Sequence, residues 1–357
     1  MKAPSIFERL VRDQRKEAPG EIDLIARRGS ATDLAECRAL HESLHLPYGE
    51  ANWRVLLEVW RALLSEGKMR LCLVENRAKP VGSRVVSFNA TLFITDEFCS
   101  EAKSKLFPYL GIQLACHYSL WASHVLNPNQ VAWGNARCGL NVIACLGGWD
   151  YSGLSYEQKL AVREKQCEAF QLTHSGYRLK EFLAESIGME MLQWMFDCGV
   201  RLRRDYSNYC RKRGVPIPNL WERPSLLGLT REEALAHPGS HLSGLFIYSL
   251  PRFKFSRSEQ VLLRQAMMGE TQNELAESLF ISPWTVKKRW HAIYDRVAAV
   301  DTELLPSPIA YGLHATSRGA ERRRHLLNYL RQHLEELRPF DWSHETNRHS
   351  LTTNRSG

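Results

Sequence analysis

The chain has 357 residues, a formal net charge of +8 at pH 7, 44% hydrophobic residues and 24% charged residues. These values exclude an intrinsically disordered chain, and the length is sufficient for two or three hydrophobic cores. The positive charge, with a pI near 9.0, favours an anionic partner. Nine cysteines without a C-x-x-C pair indicate reduced thiols, so neither a metal site nor a disulfide framework is expected.

The sequence contains no recognisable export signal or membrane span. In residues 1–20, charged side chains interrupt the apolar ones every few positions. The longest apolar stretch, residues 110–126, includes Gln113, His117 and His124 and is too polar for a bilayer. We therefore expect a soluble cytoplasmic protein with no membrane partner, in which residues 1–20 are loosely ordered.

Residues 21–213 alternate between strand and helix patterns. A strand begins at Leu24, and Ser30-x-x-Asp33 is a helix-capping pattern directly after it. The predicted helices cover residues 31–44, 51–65, 104–125, 157–174 and 177–197, and further predicted strands cover residues 69–75, 81–88, 90–95, 140–146 and 200–206. A mixed sheet flanked by helices is the simplest architecture for this order.

Two segments of this region have alternative interpretations. Gly147-Gly148-Trp149-Asp150 follows a predicted strand, and a tight turn is favoured there over a loop that approaches a ligand. The densest basic run, residues 201–213, is interleaved with Tyr206 and Tyr209. A solvated surface or an interdomain contact is favoured there over a phosphate-binding strand.

The element order, the opening at residues 27–40 and the C-G-V-R-L sequence at 198–202 resemble the GNAT acetyltransferase fold. Family members that bind acetyl-CoA carry an Arg/Gln-x-x-Gly-x-Gly/Ala loop, whose backbone amides hold the pyrophosphate at a helix N-terminus. The nearest segment here, residues 109–113, has one glycine and no arginine. The resemblance therefore implies an N-terminal α/β domain that senses a ligand or acts as a scaffold, without catalytic residues or a cofactor.

Residues 214–254 have the composition of a structured linker. Three prolines lie between Gly214 and Pro224, and Thr230-x-x-Glu233 caps a short helix that His237-Pro238-Gly239 ends. We expect this linker to join the N-terminal domain to a separate C-terminal domain over residues 255–300.

Residues 255–300 carry three helix-start signals. Ser256-x-x-Glu259 and Thr271-x-x-Glu274 are capping boxes, and Ser282 followed by Pro283 is a cap with proline at the first helical position. Apolar residues recur after each start at three-and-four spacing, which gives each helix one buried face. The segment therefore predicts three short helices, called the tri-helix below.

The tri-helix resembles the LuxR-type (GerE-type) helix-turn-helix domain of bacterial transcription regulators. The resemblance rests on F-S-x-x-E at 255–259, G-x-T-x-x-E-L-A at 269–276 and L-F-I-S-P-x-T-V-K at 279–287. It implies that the helix 283–297 enters the major groove of DNA. The implied DNA-binding residues are Thr271, Asn273, Ser282, Trp284, Thr285, Lys287, Lys288, Arg289 and His291. For Trp290, core packing is favoured over base stacking.

A C-terminal extension, residues 301–342, contains one more amphipathic helix at 318–338 with a leucine face. Its partner is either the tri-helix or a second subunit of a homodimer, and packing within the chain is favoured. Residues 343–357 are polar, and a mobile tail is expected there.

These observations predict an α+β chain that acts as a sequence-specific, DNA-binding transcription regulator. The expected partners are double-stranded DNA, a small-molecule effector bound by the N-terminal domain, and a second copy of the chain. Catalytic residues, metal ligands and cofactors are not expected. The alternative is an acyl-CoA-dependent N-acyltransferase that uses the tri-helix for docking, and a third interpretation is an interaction module.

Overall fold

The computed structural model describes residues 22–42, 50–105, 108–187, 189–212, 224–306 and 315–343. The predictions for residues 1–20 and for the tail after Ser343 lie outside the described residues. The chain divides into two compact units. The first comprises residues 1–127, 141–174 and 181–243, and the second comprises residues 128–140, 175–180 and 244–357. The predicted domain boundaries at residues 213, 254 and 300 stay predictions.

A single seven-stranded sheet organises the first unit. Its strands are β1 (Leu24–Arg28), β2 (Met69–Asn76), β3 (Val85–Ile94), β4 (Leu140–Trp149), β5 (Leu179–Ile187), β6 (Arg201–Arg204) and β7 (Pro224–Thr230). They lie in the order β1-β2-β3-β4-β5-β7-β6. The pairs β1–β2, β2–β3, β3–β4, β5–β7 and β6–β7 are antiparallel. A mixed α/β architecture was predicted, and the sheet confirms it.

Helices connect the strands. In chain order they are α1 (Leu34–Glu42), α2 (Glu50–Ser65), α3 (Asp96–Ser104), α4 (Leu110–Cys116), α5 (Tyr118–Trp121), α6 (Pro128–Ala136), α7 (Tyr156–His174), α8 (Met189–Asp197), α9 (Ser207–Lys212) and α10 (Arg231–Ala236). Helix α6 belongs to the second unit. Helix α2 buries Leu56, Trp60 and Leu63, which recur at helical spacing, and the Trp60 ring packs edge-on against Phe88 of β3. This contact lies in the main hydrophobic core of the unit.

Several predicted elements of this unit are wrong. Residues 179–187 form strand β5 instead of helix, and residues 224–230 form strand β7 instead of linker. The predicted helix 104–125 is divided among α4, α5 and a short 3-10 turn, and residues 147–149 continue β4 instead of turning. Strands β5 and β7 lie inside the sheet rather than at its edges, so both of their faces are buried. Their sequences therefore lack the alternation of apolar and polar residues that marks a half-exposed strand.

The second unit contains the tri-helix, which begins at the predicted residues. Its helices are α11 (Arg257–Met267), α12 (Gln272–Ser278) and α13 (Pro283–Val300), followed by α14 (Ala315–Gln332) and a 3-10 turn at Leu334–Leu337. Both capping boxes form, and the Ser282 side chain accepts the N–H of Thr285.

The leucine face of α14 packs inside the second unit. Leu326 and Leu330 belong to the same buried cluster as Leu262 and Ile293 of the tri-helix, which confirms the prediction of packing within the chain. Trp290 is 6% exposed in that cluster, so its predicted core position is confirmed as well. Among the described residues, no helix is both long and apolar enough to cross a membrane.

Candidate functional site

A cavity of about 130 Å³ lies in the first unit where β4 and β5 are neighbours. Consecutive residues of each strand line it, at positions 144–147 of β4 and 184–187 of β5. Successive side chains of a strand point to opposite faces of the sheet. A space that touches every one of these residues therefore lies between the edges of the two strands, which indicates that the strands separate here.

The wall of this cavity is mainly apolar and aromatic. Helices α7 and α8 contribute Phe170, Trp194 and Met195, and the strands contribute Phe88 and Phe182. The Phe170 and Phe182 rings meet edge to face, with centroids 5.1 Å apart. Such a wall binds an apolar group, while a few polar side chains fix its orientation.

Glu185 of β5 is the carboxylate of this cavity. Its two oxygens accept the backbone N–H groups of Tyr109 and Leu110, each at 2.8 Å. Burial raises the pKa of Glu185 to about 7, although the two N–H groups act in the opposite direction. Near neutral pH the carboxyl group is therefore present in both its protonated and its ionised form, as a general acid or base requires.

Tyr206 lies beside Glu185, directly after β6. Its side chain is 1% exposed and its backbone φ is 56°, in the left-handed region that tyrosine rarely occupies. Burial and the charge of Glu185 raise the pKa of Tyr206 well above its ordinary value. Tyr206 therefore remains a neutral phenol beside the carboxylate.

His41 and Gly147 also line the cavity. The Nδ1 atom of His41 lies 2.7 Å from the Gly147 carbonyl oxygen, so this nitrogen carries a proton that it donates. Burial lowers the pKa of His41 to about 4, which keeps the ring neutral. A Cβ atom at Gly147 would lie 2.6 Å from Oδ1 of Asn89, so glycine allows β3 and β4 to approach each other here.

The residues predicted to bind DNA lie in the second unit. Ser282 and Thr271 cap α13 and α12, and the Trp284 side chain is 69% exposed with the Lys288 ammonium 5.5 Å from its ring centre. The remaining members of the set are exposed or half-buried on α12 and α13: Asn273, Thr285, Lys287, Arg289 and His291. No contact among the described residues tests their predicted role.

Two residues of the cavity wall, Gly147 and Trp149, belong to the segment for which a ligand-approaching loop was weighed and a tight turn was favoured. The carboxylate was not predicted: Glu185 falls in a segment predicted as helix, and Tyr206 beside it was considered only as part of a basic run. The available signal was the position of Glu185 within the largely apolar run L-K-E-F-L-A-E-S-I at 179–187. If this run is read as a central strand, its carboxylates are expected to be buried. Among the described residues, no group of three or more His, Cys, Asp or Glu side chains could hold a metal ion.

No protein-family profile and no curated protein sequence matches the chain. Solved structures do match. Mosquito arylalkylamine N-acetyltransferase like 5b matches at 11% identity and a TM-score of 0.35, over 58% of this chain and 100% of its own. FeeM, an N-acyl amino acid synthase from uncultured soil microbes, matches at 9% identity and a TM-score of 0.31, over 59% of this chain and 94% of its own. A polyamine N-acetyltransferase of Drosophila melanogaster matches at 12% identity and a TM-score of 0.32, over 58% of this chain and 100% of its own.

These matches correct the prediction of a transcription regulator. Several of the structures found are N-acetyltransferases by name, and spermidine N-acetyltransferase from Vibrio cholerae was solved with CoA and spermine rather than with DNA. The prediction of a DNA-binding regulator with double-stranded DNA as its partner is therefore wrong. The GNAT-like fold of the N-terminal part is supported, whereas the assignment of the tri-helix to the LuxR-type domain is not confirmed.

Proposed function

We propose that the chain is an N-acyltransferase, which moves an acyl group from a thioester to an amine. One observation carries this proposal: Glu185, with a pKa of about 7, lines an apolar cavity between two neighbouring strands. An acyl chain needs an apolar wall, and an amine needs a base that is ionised near neutral pH before it can attack.

The chemistry requires one proton acceptor and one proton donor. Glu185 removes a proton from the amine nitrogen, which attacks the carbonyl carbon of the thioester and forms a C–N bond. When the tetrahedral intermediate collapses, the C–S bond breaks and the protonated Glu185 returns its proton to the leaving sulfur. The products are an amide and a free thiol, and Glu185 regains its starting state.

The surrounding residues hold Glu185 in place for this role. The amides of Tyr109 and Leu110 fix both carboxylate oxygens, and Tyr206 remains neutral beside them. His41, which is neutral, fixes the Gly147 carbonyl through its Nδ1 proton. A base that is positioned before the substrate arrives avoids reorganisation during the reaction.

The proposal is tested by incubating the purified chain with acyl thioesters of different chain length and with a panel of amines and amino acids. Amide formation is followed by mass spectrometry, and thiol release is followed by a colorimetric reagent. We expect both products in equal amounts, with a preference for apolar acyl chains. Release of thiol without amide would identify a hydrolase instead.

We expect the rate of transfer to depend on pH through Glu185. Below its pKa of about 7 the carboxyl group is protonated and cannot accept the amine proton, so kcat/KM should fall about tenfold for each pH unit. Above pH 7 the rate should level off. Rates are measured from pH 5 to 9 with an acceptor whose own pKa lies below 5, such as an aromatic amine, so that only the enzyme titrates. A flat profile would contradict the assigned base.

A further inference from the structure

In the GNAT fold that the proposed function implies, the loop between β4 and α7, residues 150–155, would correspond to the coenzyme A loop. Residues 109–113, the nearest match in sequence, instead lie at the start of α4, where the N–H groups of Tyr109 and Leu110 bind Glu185. In the GNAT fold the diphosphate of coenzyme A lies against free backbone N–H groups at the start of the helix that follows the coenzyme A loop. Whether this chain can hold coenzyme A therefore depends on the amides and the charges of the loop 150–155.

Several amides of this loop already donate hydrogen bonds within the chain. The N–H of Ser152 donates to Oδ1 of Asp150 at 3.0 Å, and the N–H of Leu154 donates to the Tyr151 carbonyl at 3.2 Å. At the start of α7, the N–H of Ser155 donates to Oε1 of Gln158, and the N–H of Gln158 donates to Oγ of Ser155. A diphosphate would have to displace these internal acceptors.

The charges of the loop also oppose a diphosphate. Glu157 lies in the first turn of α7, and hydrogen bonds from its own backbone and from Ser155 lower its pKa, so it is negatively charged. Asp150 holds the nearby Lys79 in an ion pair at 2.8 Å, so this ammonium group already has an anionic partner within the chain. The loop itself, D-Y-S-G-L-S, contains no lysine or arginine.

The one glycine of the loop forms a turn. Gly153 has a φ of 70°, which lies in the left-handed region that favours glycine. The residues at this position do not fit the diphosphate of coenzyme A.

We infer that the acyl donor is a pantetheine thioester without the nucleotide diphosphate of coenzyme A. This inference rests on the proposed function and narrows its substrate class. The apolar cavity accepts the acyl chain, and the separated strands β4 and β5 offer backbone groups to the amides of a pantetheine arm. Such an arm is presented either by a small pantetheine thioester or by a carrier protein to which it is attached.

The inference is tested by comparing the affinities of two stable thioethers, S-octyl-pantetheine and S-octyl-CoA, for the full chain by isothermal titration calorimetry. If the nucleotide contributes nothing favourable, S-octyl-pantetheine should bind as tightly as S-octyl-CoA or up to about fivefold more tightly. Adenosine 3′,5′-bisphosphate should not displace the pantetheine compound. Tighter binding of the CoA compound by about threefold or more would overturn the inference.

A charge variant tests the electrostatic part of the inference. Glu157→Gln removes the negative charge at the start of α7, so S-octyl-CoA should bind about threefold to fivefold more tightly, while S-octyl-pantetheine should bind as before. Glu164→Gln, an exposed residue further along the same helix, is the matched control and should change neither affinity. An unchanged affinity of the Glu157 variant for the CoA compound would contradict the repulsion.

Turnover separates this inference from the proposed function. Octanoyl-pantetheine, octanoyl-CoA and octanoyl carrier protein are compared as donors with one acceptor amine. Equal binding of the two thioethers without amide formation from any donor would refute the acyltransferase and leave the donor preference standing. Faster transfer from the carrier protein than from octanoyl-pantetheine would identify the protein-bound source, and the reverse order would identify the small thioester.

Discussion

Glu185→Gln is expected to lower the rate of amide formation by about 100-fold to 10000-fold, since this is the usual contribution of a general base. Glutamine retains the size of the side chain, but it cannot accept the amine proton. The binding of S-octyl-pantetheine should change little, so the loss should appear in kcat. Steady-state rates at pH 8, where the wild-type carboxylate is ionised, give the largest contrast.

Glu181→Gln is the matched control for this result. Glu181 lies on the same strand four residues earlier and pairs with Lys103 at 2.7 Å, but it does not line the cavity. Its loss should affect stability and leave the rate per folded molecule within about twofold, as is usual for a residue outside the reacting groups. Thermal unfolding of both variants shows whether they fold. A folded Glu185→Gln protein with wild-type activity would refute the role of Glu185.

Gly111→Ala is expected to destabilise the first unit by about 3 kcal/mol, the upper part of the usual range for overpacking. Gly111 lies on α4, and a Cβ atom there would be 2.1 Å from the Cys145 carbonyl oxygen and 2.5 Å from Cγ of Leu146. Because one of these atoms belongs to the backbone of β4, the helix must move away from the sheet. Urea unfolding followed by circular dichroism measures the loss.

Gly319→Ala is the control for Gly111→Ala, because it also replaces a glycine within a helix. Gly319 lies on α14, and a Cβ atom there would meet nothing within 4 Å. Alanine should stabilise this helix by about 0.5 to 1 kcal/mol, because it loses less backbone entropy than glycine does. If Gly111→Ala unfolded at the wild-type urea concentration, the close packing of α4 on β4 would be wrong.

The sequence predicted best the elements whose signals are local. The starts of α11, α12 and α13 follow from a hydroxyl and a carboxylate three residues apart, and the structure forms both capping boxes at those residues. Strand β5 was assigned as helix because its burial depends on β4 and β7, which come from distant parts of the chain. Local propensity contains no information about such partners.

The candidate site was harder to predict for the same reason. His41, Gly147 and Glu185 come from α1, β4 and β5, and only the sheet brings them to one cavity. The pKa of Glu185 follows from burial, which no spacing in the sequence encodes. The motif at the tri-helix led instead to the wrong function, because a helical scaffold and its exposed basic residues do not by themselves specify what a whole chain does.

Neither compact unit is a continuous stretch of the chain. Residues 128–140 and 175–180 belong to the C-terminal unit, although residues of the N-terminal unit precede and follow them in sequence. Arg137, for example, forms an ion pair with Asp341 at 2.7 Å. A gene cut after codon 243 would therefore leave the C-terminal fragment without residues 128–140 and 175–180, and the N-terminal fragment would carry these two segments without the unit to which they belong. Dissecting this protein therefore calls for point substitutions rather than truncation.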